Sequence, residues 1–185
     1  MVGAGRGGVT ANMLSGLGRR GRKASTRSRL ESIIASLALP EDWTIVQFVQ
    51  SVEQLRGRKI HLLELPDSAP VGLCGLWLAR PNDDVVFHRA SSDPEQTRHT
   101  VSHEIGHMLC DHGDDAQLPP EELATYLTGV DLTAHELDLS MVKAARGISS
   151  YSDQAEYEAE LLATLIATKA TSAQARDRDR ILRAF

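Results

Sequence analysis

A chain of 185 residues is long enough for one domain with a substantial core, and with only 4% aromatic residues that core must be built mainly from Leu, Ile, Val and Ala. Its two cysteines, Cys74 and Cys110, exclude a disulfide framework and suit a reducing, cytoplasmic setting, and no apolar run approaches the roughly 18 residues needed to span a membrane. Seven of the 20 basic residues (Arg6, Arg19, Arg20, Arg22, Lys23, Arg27, Arg29) fall in positions 1–30, which hold no acid, so the remainder sets 13 basic against 25 acidic groups.

That contrast predicts a disordered basic tail over 1–24, rich in Gly and Arg, ahead of an acidic folded body. Direct nucleic-acid binding by this tail is not the expectation. From Ser28, the residues Leu30, Ile33, Ile34, Leu37 and Leu39 recur at helical spacing, and Pro40 stops the helix. A second helix over 44–57 aligns Ile45, Phe48, Val49, Val52 and Leu55 on one stripe and ends at Gly57. Three strands are predicted at 60–65, 75–79 and 85–88, the last two joined through Pro81-Asn82-Asp83-Asp84. Asp93 as cap and Pro94 at the first helical position open the next helix. Helices are then predicted over 120–127 and 133–145, and Ser152 and Asp153 cap a long one reaching about residue 170. Residues 173–185, where Arg and Asp alternate, read as a charged helical tail. The expected fold class is α+β, a small three-stranded sheet packed on helices.

The motif that carries chemistry is His103-Glu104-Ile105-Gly106-His107. On a helix His103 and His107 lie one turn apart on one face, where two imidazoles can share a Zn²⁺ at about 2.0–2.1 Å each. Glu104 then stands beside the ion as a general base for a bound water, so it is the candidate catalytic residue. A hydrolytic zinc site needs a third protein ligand. A third His six residues after His107 is absent, since Gly113 stands there, and His112 is one residue short. The alternative is a carboxylate from a later helix, and Glu156-Tyr157-Glu158-Ala159-Glu160 offers three. Glu158 shares its face with Ala155, Ala159, Leu162 and Leu165, while Glu156 and Glu160 lie on the flank with Thr164. A carboxylate turned inward among apolar residues needs the compensation a metal gives, which selects Glu158 with Glu160 second. Ala159 and Gly106 are small enough to let the two helices approach closely. Cys110 falls near the same side as His107 and reads as core filling.

These residues make the chain resemble the ImmA/IrrE family of zinc peptidases over about residues 72–167. The resemblance is carried by Gly75-Leu76-Trp77, by Val85-Val86-Phe87, by the run from His99 to Leu109 around the two histidines, and by Glu156-Tyr157-Glu158-Ala159-Glu160-Leu161-Leu162-Ala163. In that family the Glu preceding Ala is the third ligand, which here is Glu158. The chain departs from the pattern at Glu160, where Asn is common, and in the 50 residues separating His107 from Glu158.

The resemblance implies a zincin-like metallopeptidase domain over 25–172 and a stand-alone endopeptidase. Its protein substrate would be a helix-turn-helix repressor encoded nearby, linking it to transcription regulation. In that reading Zn²⁺ is held by His103, His107 and Glu158, and Glu104 takes the water's proton. The substrate pairs its backbone with the strand Val85–Phe87, and His88 at its end helps stabilise the oxyanion. His99 and His112 are expected behind the ligands or at the surface. The alternative is a non-catalytic zinc-containing regulatory or toxin–antitoxin component that binds a repressor without cutting it.

Overall fold

Between Ala79 and Asp83 the chain reverses through Pro81 and Asn82: the Arg80 amide donates to the Asp83 carbonyl at 3.0 Å, and the Arg80 guanidinium grips the Asp83 carboxylate through two bonds of 2.6 Å. This turn joins two strands in a computed structural model that describes residues 26–40, 42–112, 118–142, 144–146 and 152–182. The basic tail read over 1–24 lies outside the described residues. The turn links β2 (Gly75–Ala79) to β3 (Asp83–Arg89) as an antiparallel pair, and β1 (Lys59–Leu65) pairs parallel with the other side of β3. A fourth strand, β4 (Ala144–Arg146), pairs antiparallel with β2, giving the order β1-β3-β2-β4. The expected three strands are therefore present and a fourth is added.

Strand alternation sorts the side chains onto two buried faces. Ile60, Trp77 and Val86 face one layer, with Phe48, Val52, Ile105 and Leu162 from the helices. Leu65, Leu76, Leu78, Val85 and Phe87 face another layer with Leu73, Leu123, Leu127 and Leu137. One polar group is carried into the first layer. Asp84, fully buried, accepts from Trp77 Nε1 at 3.1 Å and Arg58 Nε at 3.1 Å, and lies 3.4 Å from Arg56 Nη2. Arg56, at the end of the helix Ile45–Arg56, also donates to the Met108 carbonyl at 2.8 Å, tying that helix to the one carrying His103 and His107.

The helices largely begin and end where their capping residues stand. α1 occupies 26–36 and stops at Ala38, which takes a left-handed backbone with φ 46°. α2 (Ile45–Arg56) starts with a reciprocal Thr44–Gln47 cap and ends at Gly57, φ 65°. α3 (Pro94–Leu109) has Asp93 accepting from the Glu95 amide at 2.9 Å and Pro94 in its first turn. α4 is Pro120–Tyr126, and α5 is Asp153–Leu182, one unbroken helix of 30 residues that includes most of the segment read as a separate tail. No helix among the described residues is long and apolar enough to cross a membrane.

Two expectations are corrected. Among the described residues of 133–145 the expected helix is absent: Glu136 has φ 51°, and Asp131 and Asp138 spend their carboxylates on the amides of Ala134 and Ser140, local bonds that compete with a helix. A short 3₁₀ turn, Leu139–Met141, and β4 follow instead. The second concerns β3. It is hydrogen-bonded to β1 on one side and β2 on the other, so the strand Val85–Phe87 has no free edge for a substrate backbone.

Candidate metal centre

Gly106 and Ala159 set the geometry of the site. A Cβ on Gly106 would lie 3.1 Å from Ala159 Cα and from its carbonyl oxygen, so α3 and α5 touch at backbone distance there. Each residue turns an α-helix by about 100°, and the two helices run in opposite senses past this contact. His103 and His107 therefore flank Gly106 on the same side that Glu156 and Glu160 flank Ala159. Glu158 lies on the other flank.

The result is a convergence of three side chains. His103 and His107 face each other with Nε2 atoms 3.1 Å apart and rings nearly perpendicular, at 76°. Glu156 sets Oε2 3.4 Å from His103 Nε2 and Oε1 3.7 Å from His107 Nε2. A tetrahedral ion with bonds of about 2.0–2.1 Å holds its ligands about 3.3–3.4 Å apart, so these spacings suit one divalent cation. The donor chemistry agrees: two imidazoles and a carboxylate are the set that binds Zn²⁺, and also Mn²⁺ or Fe²⁺. His107 is fully buried, while the Glu156 side chain is 48% exposed, which leaves the site open on that side.

Glu158, the carboxylate selected from the sequence, is drawn elsewhere. It accepts from Gln154 Nε2 at 2.8 Å, faces His112 Nε2 at 3.2 Å and pairs with Arg29 of α1. Burial works against its charge, yet the hydrogen bonds from Gln154, His112 and Arg29 hold its carboxyl below the usual range. Glu156 thus stands where Glu158 was expected. Glu160, the second choice, lies 3.2 Å from His99 Nε2 and 3.5 Å from His103 Nδ1, behind the ring rather than at its Nε2.

Glu104 reaches Gly75 of β2 and lies near enough to Glu156 to feel its charge. It is buried at 7% exposure, and its carboxylate rests where Gly75 has no side chain. Burial, and after it the negative charge of Glu156, pushes the Glu104 carboxyl up to about 8. A cation between Glu156 and the imidazoles would act in the opposite direction.

No family model, curated protein or solved structure matches the chain.

The remaining candidates divide. His112 sits directly behind His107, with Nδ1 atoms 3.0 Å apart. Cys110 packs against the core as expected, and its thiol also meets the Arg29 guanidinium. His88 stands opposite Gly75 in the β2–β3 register, and its Nδ1 lies 3.3 Å from the Arg89 carbonyl. Sequence reasoning missed Glu156 as the closing carboxylate and Gly75 as the cradle for Glu104. The signal for the first was the small pair Gly106 and Ala159, which fixes the facing flanks.

Proposed function

We propose that this chain is a zinc-dependent endopeptidase of the ImmA/IrrE kind, acting on a regulatory protein such as a helix-turn-helix repressor. The observation that supports it best is the convergence of His103, His107 and Glu156 near a buried Glu104. His103, His107 and Glu156 would hold the ion. When bound, it supplies a Lewis acid that polarises a peptide carbonyl and acidifies a water.

The chain's own residues do the rest. Glu104 accepts a proton from the attacking water as its oxygen bonds the carbonyl carbon, and then delivers that proton to the amine nitrogen as the C–N bond breaks. Its burial keeps it from being levelled by bulk water, and the bare backbone at Gly75 holds it in place. Glu156, half exposed, leaves room for an extended substrate on its side of the site.

Glu104→Gln removes the proton acceptor while keeping the shape of the side chain. Turnover should fall by about 10²–10⁴-fold with one zinc per chain retained. The assay is mass-spectrometric detection of cleavage of a helix-turn-helix repressor incubated with the zinc-loaded chain, with metal content measured in parallel. Wild-type turnover in the Gln variant would remove Glu104 from the mechanism. Zinc uptake with no cleavage by the unaltered chain would favour a repressor-binding role without catalysis.

A further inference from the structure

A chain of contacts leaves the metal centre from its buried side. His107 Nδ1 lies 3.0 Å from His112 Nδ1, and His112 Nε2 lies 3.2 Å from Glu158 Oε2. Glu158 also accepts from Gln154 at 2.8 Å and pairs with Arg29. A carboxylate in an ion pair only accepts hydrogen bonds. His112 then donates from Nε2. With His112 neutral, its Nδ1 accepts, so His107 donates from Nδ1 and turns its Nε2 lone pair toward His103 and Glu156.

On the strength of the metal-centre reading above, we propose that His112, Glu158 and Arg29 form a positioning relay that fixes His107 in the tautomer a metal requires. Buried ligand histidines are commonly oriented this way through their second ring nitrogen. The relay draws on three elements: Arg29 from α1, His112 from just beyond α3, and Glu158 from α5. It gives the inward-facing glutamate of α5 a role other than ligation. Cys110, His112 and Glu158 are also close enough together to hold a cation of their own. Arg29 opposes that use, because its guanidinium already neutralises Glu158 and touches the Cys110 thiol.

The test begins with the unaltered, zinc-loaded chain labelled with ¹⁵N-histidine. Long-range ¹⁵N–¹H correlation should show His107 protonated at Nδ1 and bare at Nε2, with His112 protonated at Nε2. The opposite tautomer at His112, or a doubly protonated ring, overturns the relay. In His112→Phe and Glu158→Gln, zinc affinity measured against a competing chelator should drop by about 10–100-fold, with one ion per chain retained. Unchanged affinity in a folded His112→Phe protein overturns it as well, and if that variant does not fold, the tautomer spectrum decides. Two ions per chain would assign the Cys110 cluster as a second site and overturn the relay. A chain that takes up no ion overturns the metal centre itself, and the relay falls with it.

Discussion

A methyl group added at Gly75 would stand 2.8 Å from Cγ and Cδ of Glu104, well inside contact distance, so the carboxylate would have to move. Under the proposed mechanism, Gly75→Ala should therefore lower kcat/KM by about 100-fold through misplacement of Glu104, with one zinc per chain retained. Metal analysis beside the cleavage assay separates this from loss of the site. Asp84 gives a stability counterpart. It is fully buried and holds Trp77, Arg56 and Arg58 together, and Asp84→Ala would leave two guanidinium groups without their anion. Urea unfolding should show a loss of about 3 kcal/mol, the low end for a broken buried pair because both arginines are partly exposed. The pairing of His103 with His107 was legible from their spacing alone. Asp84 was not, because nothing in the local sequence distinguishes a strand-opening aspartate that is buried from one that is solvated.

At the level of elements, the α3–α5 contact decides which carboxylate meets the histidines. Gly106→Val would push Ala159 away, since even one Cβ there lies 3.1 Å from the opposing backbone. We expect a loss of about 1–3 kcal/mol in thermal or urea unfolding and a matching fall in zinc affinity as Glu156 withdraws. The close approach itself was readable from Gly106 and Ala159. The choice among Glu156, Glu158 and Glu160 was not settled by burial, because the apolar stripe of α5 says which way the helix faces but not which flank the imidazoles occupy. Glu158 is indeed the more buried residue, but it is compensated by Arg29, whose partner lies 129 positions along the chain. Distant ion pairs of this kind leave no periodic trace. The segment 133–145 failed for the converse reason: it has helical composition, yet Asp131 and Asp138 cap amides within turns and Leu137 is buried against the sheet. A three-residue strand such as β4 is too short to show alternation.

For the molecule as a whole, both faces of the sheet are covered, and the proposed ion would bridge two helices that belong to the same inner core. Stripping the metal with a chelator should lower the melting temperature. At a free zinc concentration about 100 times its Kd, the stabilisation is about 2.7 kcal/mol. For a domain of this size that corresponds to a fall of about 5–10 °C, reversed by zinc and read by calorimetry. The strand order has a consequence of its own. With β3 enclosed, β1 forms the long outer rim of the sheet, and its Ile60 amide is already taken by Glu53 Oε1 at 2.9 Å, with Lys59 bonded to the same carboxylate at 3.0 Å. That plugged donor and the charges around it guard the rim against strand-to-strand stacking between molecules. Glu53→Ala uncovers the amide, and light scattering should then rise with protein concentration where the unaltered chain stays clear.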